Sequence, residues 1–139
     1  MVSDKYVRKL HRKMFDQTWK WAGKYRSTEK NLGVPFEEIH ERLAALGDVR
    51  FWLEHKTYSV DEIALRFHHR LVVIHPFPNG NGRHARLLAD IFVMKHGWPR
   101  FSWGAKDLVR PGEARARYLE AIRAADGGDL RLLLEFGRA

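Results

Sequence analysis

The stretch that decides how this chain folds is residues 75–86, which read HPFPNGNGRHAR. Pro76 and Pro78 must end any helix that precedes them, because proline disfavours helical geometry in the residue before it. The glycines at 80 and 82 permit positive φ angles and let the backbone approach a ligand closely. A new helix is predicted to begin at once. The stretch therefore predicts a tight loop between two helices, with His75 at the last turn of the first.

The start of the second helix is suited to bind an anion. The first backbone N–H groups of a helix have no partner within it and carry a partial positive charge. Arg83 and Arg86 are three residues apart and share a helix face, and a guanidinium matches the geometry of a phosphate. Together with Gly80, Asn81 and Gly82 they form a candidate polyphosphate site. It is not a Walker A loop, because no Gly-Lys-Ser/Thr follows.

Two residues beside this site have side chains suited to phosphoryl chemistry. A histidine has an ordinary pKa of about 6.5, so His75 is a candidate general base that takes the proton from an attacking hydroxyl group. Asn79 offers a carbonyl oxygen to Mg²⁺, a hard cation that prefers oxygen ligands. Phe77 is predicted to anchor the loop in the core.

Periodic apolar residues on both sides of the loop predict further helices. Ser59 and Glu62 form a capping box that opens the helix ending near His75. Residues 24–36 follow no helical period and predict a short β-hairpin or an extended flap. The chain is therefore predicted to be a single all-α domain over residues 1–139, with about six helices and one flap. The other helices are predicted over residues 4–21, 36–54 (with a kink or break at Gly47–Asp48), from Gly82 to Gly97, 112–125 and 129–136.

The charge of the chain is uneven. It holds 25 Lys and Arg against 17 Asp and Glu, a net charge of +8, which favours nucleic acid, membrane surfaces or phosphate ligands as partners. Residues 66–106, which include the loop, hold seven basic residues against one acidic, and residues 1–30 hold nine against three. The basic block at residues 66–106 fits a triphosphate ligand, whereas the basic block at residues 1–30 is interpreted as a solvated helix face.

Hydropathy and cysteine content exclude several classes of protein. No apolar run approaches 18 residues, which excludes a transmembrane helix. The chain has no cysteine, so disulfides, thiolate metal sites and a cysteine nucleophile are excluded, and a reducing cytoplasm is the expected setting.

Residues 75–86 resemble the motif of the Fic family, His-x-Phe-x-(Asp/Glu)-Gly-Asn-Gly-Arg-x-x-Arg. Every fixed position is matched except Asn79, where many members have an acid. Residues 21–34 and 118–134 also resemble family segments, so the likeness covers the whole chain, and within the family it is closest to the subgroup called mobile mystery protein B. The resemblance implies a Fic fold and transfer of AMP from ATP to a Tyr, Thr or Ser hydroxyl of a target protein, with a toxin-like role.

The resemblance also implies a role for each residue of the motif. His75 is the general base, and Asn79 stands at the position of the Mg²⁺ ligand. Residues 80–82 form the anion hole, with Asn81 toward the phosphates, while Arg83 supports the β- and γ-phosphates and Arg86 the γ-phosphate. A flap would dock the target by β-augmentation; its residues are Ser27, Thr28, Glu29, Lys30, Asn31, Leu32, Gly33 and Val34.

Two departures from the family leave alternatives open. A neutral amide at Asn79 binds Mg²⁺ less strongly than a carboxylate, so either ATP and water supply most ligands and activity persists, or the chemistry is weakened. The family's inhibitory motif, (Ser/Thr)-x-x-x-Glu-(Gly/Asn), is not found in the chain. Inhibition would then come from an antitoxin-like partner or from an N-terminal helix outside this chain, or the enzyme would not be inhibited at all.

Other functions and other residues also fit parts of the pattern. A Fic-fold transferase with another donor (phosphate, UMP or phosphocholine) fits the motif, whereas a non-catalytic basic nucleotide- or nucleic-acid-binding module would leave His75 without a role.

His69 and His84 are expected to pack or hydrogen-bond, because the spacing of a zinc site is lacking. Tyr118 and either Trp98 or Trp103 are secondary candidates for the nucleotide pocket.

Overall fold

The computed structural model describes residues 3–30, 32–107, 110 and 112–139, and these residues form helices and loops without any strand. The all-α prediction is confirmed. Short 3-10 turns, Phe36–Glu38 and Ala45–Gly47, lie on either side of α2. The α-helices of the described ranges are α1 (Asp4–Phe15), α2 (Ile39–Ala44), α3 (Asp48–Glu54), α4 (Val60–Ile74), α5 (Asn81–Lys95), α6 (Glu113–Asp126) and α7 (Arg131–Arg138).

Helices α4 and α5 form the centre of the fold and hold the loop of residues 75–80 between them. Helix α4 begins as its capping box predicts, because the Ser59 hydroxyl accepts a hydrogen bond from the Glu62 N–H at 3.1 Å. Phe67 of α4 and Phe92 of α5 are buried and meet edge to face, with ring centroids 5.1 Å apart. Each such side chain contributes about 1.5–3 kcal/mol on burial, so the pair gives the loop a rigid base.

The first helix is shorter than the sequence predicts. It ends at Phe15, where the prediction extended it to residue 21. The N–H of Trp19 turns back to the Phe15 carbonyl at 2.9 Å, and the Trp19 and Trp21 rings stack with centroids 4.6 Å apart. Packing of these aromatic rings replaces the helical period after Phe15. The predicted break near Gly47 is confirmed, because a 3-10 turn separates α2 from α3 there.

The β-hairpin prediction for the flap is wrong for the residues that can be described, 24–30 and 32–36, which contain no strand pairing. Their backbone hydrogen bonds go instead to the end of α4 and the residues after it. The Arg26 N–H donates to the Pro76 carbonyl at 2.9 Å, and the Val34 N–H donates to the Ile74 carbonyl at 3.4 Å. The flap is therefore an extended loop tied down at both ends. Asn31 lies outside the described residues.

None of the helices in the described ranges has both the length and the apolar character needed to cross a membrane.

Candidate active site

The loop after α4 begins at His75, which takes a left-handed conformation with φ 53° and ψ 60°. Its N–H makes the last hydrogen bond of the helix, to the Leu71 carbonyl at 3.0 Å. The left-handed backbone of His75 then ends the helix at this residue. Two residues further on, Phe77 is fully buried and its ring stacks on His11 of α1 at 3.7 Å between centroids. Phe77 therefore anchors the loop, as predicted.

The side chain of Asn81 closes the loop on itself. Its Oδ1 accepts a hydrogen bond from the Phe77 N–H at 2.9 Å, and its Nδ2 donates to the Phe77 carbonyl at 2.8 Å. The side chain thus holds the loop, and Asn81 also lines the pocket, so its predicted contact with phosphates stays a prediction. The backbone N–H of Asn81, at the start of α5, can make the same contact.

Gly80 is required at the N-terminus of α5 for two reasons. It has φ +77°, which side chains rarely allow, and a Cβ there would lie 2.7 Å from the Phe15 ring. A Cβ at Gly82 would lie 3.4 Å from the Arg86 guanidinium, so this glycine leaves room for that side chain. The loop backbone can therefore pack against α1 while the start of α5 stays open.

Arg83 and Arg86 both remain without a carboxylate partner among the residues that the structure describes. The Arg83 guanidinium lies over the Phe15 ring at 4.8 Å, and that of Arg86 over the Tyr118 ring at 5.6 Å. Aromatic faces orient both cations without neutralising them. The two arginines can therefore still pair with an anionic ligand.

These residues line a pocket of about 560 Å³, together with His75, Asn79 and residues 80–82. The pocket continues over apolar side chains from the flap, α4, the loop between α5 and α6, α6 and α7: Leu32, Val72, Trp103, Tyr118, Leu119 and Phe136. It therefore has a cationic end suited to phosphates and an aromatic part suited to a base. Trp103 and Tyr118 are confirmed as lining residues, whereas Trp98 is not among them and is largely exposed.

The imidazole of His75 faces this pocket in a partly buried position. Burial lowers its pKa below the ordinary value, and the positive charges of Arg26 and Lys30 lower it further. A lowered pKa keeps the ring neutral near pH 7, which is the form that can accept a proton. The electrostatics of the site therefore suit a general base.

Asn79 is the one sequence-predicted metal ligand, and its side chain has a single oxygen to offer. That oxygen accepts the Gly80 N–H at 2.8 Å, and the side chain is exposed. The described residues contain no cluster of three or more His, Cys, Asp or Glu that could hold a metal. One amide oxygen fits Mg²⁺ only where phosphate oxygens and water complete the shell.

Two of the predicted flap residues come close to the pocket or to His75. Leu32 lines it, and Gly33 approaches His75 so closely that a Cβ there would lie 2.7 Å from the His75 Cβ. Val34 is buried beneath, while Ser27, Thr28, Glu29 and Lys30 are exposed.

Sequence reasoning missed two residues that hold this site. Arg26 is buried and donates to the His75 carbonyl, and His11 contacts the Asn79 carbonyl through Nε2 at 3.0 Å. Both are polar residues close in sequence to aromatic ones, and a sequence pattern predicts that such polar side chains are exposed to solvent. A signal for Arg26 existed, because it ends the segment of residues 21–26 that resembles other family members.

A helix N-terminus with two guanidinium groups and a histidine beside it forms a candidate anion-binding site in an all-helical domain. The sequence model of the Fic/DOC family matches residues 2–93, which is more than half of the chain. The chain belongs to the Fic/DOC family.

Similar proteins extend the likeness over the rest of the chain. The chain is 37% identical over 122 residues to the protein adenylyltransferase fic-1 of Caenorhabditis briggsae, covering 83% of this chain and 22% of that protein. Among solved structures, Fic-1 (residues 134–508) of C. elegans superposes with a TM-score of 0.79 at 31% identity, over 99% of this chain and 40% of that one.

A third likeness is of fold alone. It is to BepC of Bartonella tribocorum with bound AMPPNP, with a TM-score of 0.73 at 21% identity, over 99% of this chain and 73% of that one. The chain thus spans about a quarter or less of the length of the curated relatives it matches.

Proposed function

We propose that this domain transfers AMP from ATP to a hydroxyl side chain of a target protein. The target oxygen attacks the α-phosphorus of ATP and forms a phosphodiester bond. The bond from the α-phosphorus to its bridging oxygen breaks, and pyrophosphate leaves. His75 takes the proton from the attacking hydroxyl. The name of the C. briggsae relative, a protein adenylyltransferase, supports this reaction.

One observation carries the proposal: a histidine with a lowered pKa lines the same pocket as Arg83 and Arg86 at a helix N-terminus, and neither arginine has a carboxylate partner among the described residues; Arg115 of α6 adds a third cation to the lining. A triphosphate is the most economical ligand for this arrangement, because backbone N–H groups and two guanidiniums together match its charge and its length. The AMPPNP bound to BepC supports ATP as the nucleotide. The aromatic part of the pocket would take the adenosine.

Mg²⁺ is part of the proposal as a companion of ATP. When bound, Mg²⁺ neutralises phosphate charge in the transition state. Asn79 would hold it through Oδ1, which has a second lone pair beside the one that accepts the Gly80 N–H.

The flap, residues 27–34, would dock the target. Ser27, Thr28, Glu29 and Lys30 are exposed and form no strand ladder, so their backbone groups other than the Thr28 carbonyl, which Arg26 occupies, are open to β-augmentation by an extended segment. Contact between Gly33 and His75 would bring the target hydroxyl toward the base.

Our proposal for regulation rests on the family resemblance, and that for the setting on the sequence expectation of a reducing cytoplasm. We propose a toxin-like enzyme of the cytoplasm, restrained by an antitoxin-like partner or by an N-terminal helix supplied from outside this chain. A free Arg86, which pairs with no carboxylate in the described residues, is the group that such a helix would engage.

Labelled ATP tests the reaction directly. The purified chain is incubated in lysate with ATP labelled at the α- or the γ-phosphate. Label from the α-position alone, lost in His75→Ala, is expected. Label from the γ-position would instead indicate a kinase-like transferase, and no label with salt-dependent DNA binding would favour the basic binding module.

Arg86→Ala tests the phosphate site separately. The variant should bind ATP at least tenfold more weakly, which corresponds to about 1.4 kcal/mol. Arg123→Ala serves as the matched control, because Arg123 lies on α6 and does not line the pocket. Isothermal titration with ATP decides, and equal affinity of Arg86→Ala and the unchanged chain would contradict the assignment.

A further inference from the structure

Arg26 is a buried cation that the proposed reaction does not use. Its side chain has no exposed surface, and the carboxylate nearest to it is that of Glu29, at 3.8 Å and itself largely exposed. A buried charge is costly unless its hydrogen bonds are satisfied. The purpose of Arg26 must therefore be found in the groups to which it donates.

Half of those groups belong to the end of α4. Arg26 Nε donates to the His75 carbonyl at 2.6 Å, and Nη2 donates to the Ile74 carbonyl at 3.1 Å. The last carbonyls of a helix have no partner within it, and a cation is favoured at that end. Arg26 thus satisfies the helix end at the residue where the backbone turns left-handed and the His75 ring enters the pocket.

The other half belong to the two ends of the flap. Nη1 donates to the Thr28 carbonyl at 3.1 Å, and Nη2 also donates to the Val34 carbonyl. One planar guanidinium therefore joins the first and last parts of the flap to the candidate base. Its donors are fixed in a fork, so the spacing between these carbonyls is fixed as well.

Gly33 shows how close this packing is. A Cβ at Gly33 would lie 2.7 Å from Arg26 Nη2 and 2.7 Å from the His75 Cβ. The flap backbone, the guanidinium and His75 are therefore in direct contact, and a shift of any one of them displaces the others.

We propose that Arg26 is a positioning residue that sets the register between the target-docking flap and His75. It acts through the carbonyls of both segments and touches neither ATP nor the target. The inference rests on the proposed function for its kinetic consequence, whereas its structural consequence can be measured without any activity.

The kinetic arm compares Arg26→Gln with Arg26→Lys, and Arg50→Gln is the control because the Arg50 side chain is 87% exposed. With α-labelled ATP, the transfer rate at saturating ATP should fall about a hundredfold in Arg26→Gln, the size of effect that a displacement of about 1 Å produces. Arg26→Lys keeps the charge without the fork and should recover part of the rate. The KM for ATP should stay unchanged, because Arg83 and Arg86 still bind the phosphates.

The second arm needs no activity. NMR titration of the His75 ring should show its pKa rising in Arg26→Gln, since the Arg26 charge is one of the causes that hold this pKa low. The other cause of this kind, Lys30, and the arginines of the same pocket, Arg83, Arg86 and Arg115, remain in the variant. Exchange of the Val34 amide, the flap N–H that donates to the Ile74 carbonyl, should become faster in both Arg26 variants. Arg50→Gln should match the unchanged chain in both measurements.

The outcomes separate the two proposals. If the unchanged chain transfers no label but both structural readouts respond, the enzyme assignment fails and the positioning role stands. If a folded Arg26→Gln keeps the flap exchange and the His75 titration of the unchanged chain, the positioning role is overturned. The role is also overturned if the rate falls only through a raised KM for ATP. Should Arg26→Gln fail to fold, Arg26→Lys decides, and flap exchange like that of the unchanged chain refutes the role.

Discussion

His75 illustrates how a single residue combines strain and function. Its left-handed backbone costs a residue with a Cβ about 1–2 kcal/mol. That conformation ends α4 and turns the chain into the loop, so that the ring lines the pocket. Hydrogen bonds to its carbonyl and to that of Ile74 offset the cost. The strain is thus maintained by contacts that no local sequence rule would suggest.

The other decisive residue is Asn79, where the amide replaces the acid of many family members. We expect Asn79→Asp to lower the Mg²⁺ concentration for half-maximal AMP transfer roughly threefold to tenfold, or about 0.6–1.4 kcal/mol, because a carboxylate binds Mg²⁺ more strongly than an amide. A titration of Mg²⁺ at fixed ATP measures this.

The size of the maximal rate then distinguishes the two interpretations of Asn79. If the maximal rate rises strongly in Asn79→Asp, the native site is limited by its metal. If only the Mg²⁺ requirement changes, ATP and water already supply most ligands. An unchanged Mg²⁺ requirement would contradict a metal-binding role for this position. Asn79→Ser, which also has one neutral oxygen, controls for loss of the amide contact with Gly80.

At the scale of elements, the helices with clear signals could be predicted from sequence and the segments governed by distant contacts could not. The capping box at Ser59 and the prolines after His75 fix the two ends of α4 locally. The end of α1 at Phe15 depends on stacking of Trp19 on Trp21, and ring packing leaves no periodic trace in sequence. The prediction of a hairpin for the flap was wrong because the flap backbone hydrogen-bonds to α4 and the adjoining loop rather than to a second strand within the flap.

The same distinction holds within the candidate site. The motif indicated His75, Arg83 and Arg86 as pocket residues, because helix spacing alone puts the arginines on one face. It did not indicate that the Asn81 side chain hydrogen-bonds to the N–H and the carbonyl of Phe77, since these bonds depend on the turn between the two residues. Residues 1–30 contribute another hidden partner, His11, from a helix whose charge suggested only a solvated face.

Helix α1 supports the loop through His11. Nδ1 of this ring accepts the Gly23 N–H at 3.0 Å, so Nε2 carries the hydrogen and donates to the Asn79 carbonyl at 3.0 Å. His11→Ala removes both partners and leaves a cavity against Phe77. We expect a loss of about 3 kcal/mol in the free energy of unfolding, measured with urea.

The exposed His55 provides the control for His11. Its ring bonds only to a carbonyl one turn back in its own helix, so His55→Ala should change stability by less than about 0.5 kcal/mol. If His11→Ala is no more destabilised than His55→Ala, helix α1 does not hold the loop in place.

For the whole molecule, buried neutral histidines link stability to pH. His68 and His84 are buried, and burial lowers the pKa of each ring to about 4. His68 contacts the Tyr118 hydroxyl at 2.9 Å and His84 the Val7 carbonyl at 2.9 Å. The two rings thus lie where α4 meets α6 and where α5 meets α1, so the core as a whole resists their protonation.

The sign of the pH effect follows from proton uptake. In the unfolded chain these rings have pKa values of about 6.5, so between pH 6.5 and about 4 the unfolded chain binds protons that the folded chain does not. Their contribution to stability is complete above pH 6.5 and is lost as the pH falls toward 4. When the pH falls from 7.5 to 5, each ring should lower the free energy of unfolding by on the order of 2 kcal/mol.

Urea unfolding at pH 7.5 and pH 5 tests this in three chains. The unchanged chain should lose roughly 4 kcal/mol over this interval from the two rings together, and His84→Gln should lose about half as much. The glutamine amide can still donate to the Val7 carbonyl, so the variant should fold. His55→Gln, which removes an exposed ring, should follow the unchanged chain. A loss in His84→Gln equal to that of the unchanged chain would show that His84 is not the buried proton acceptor of the core.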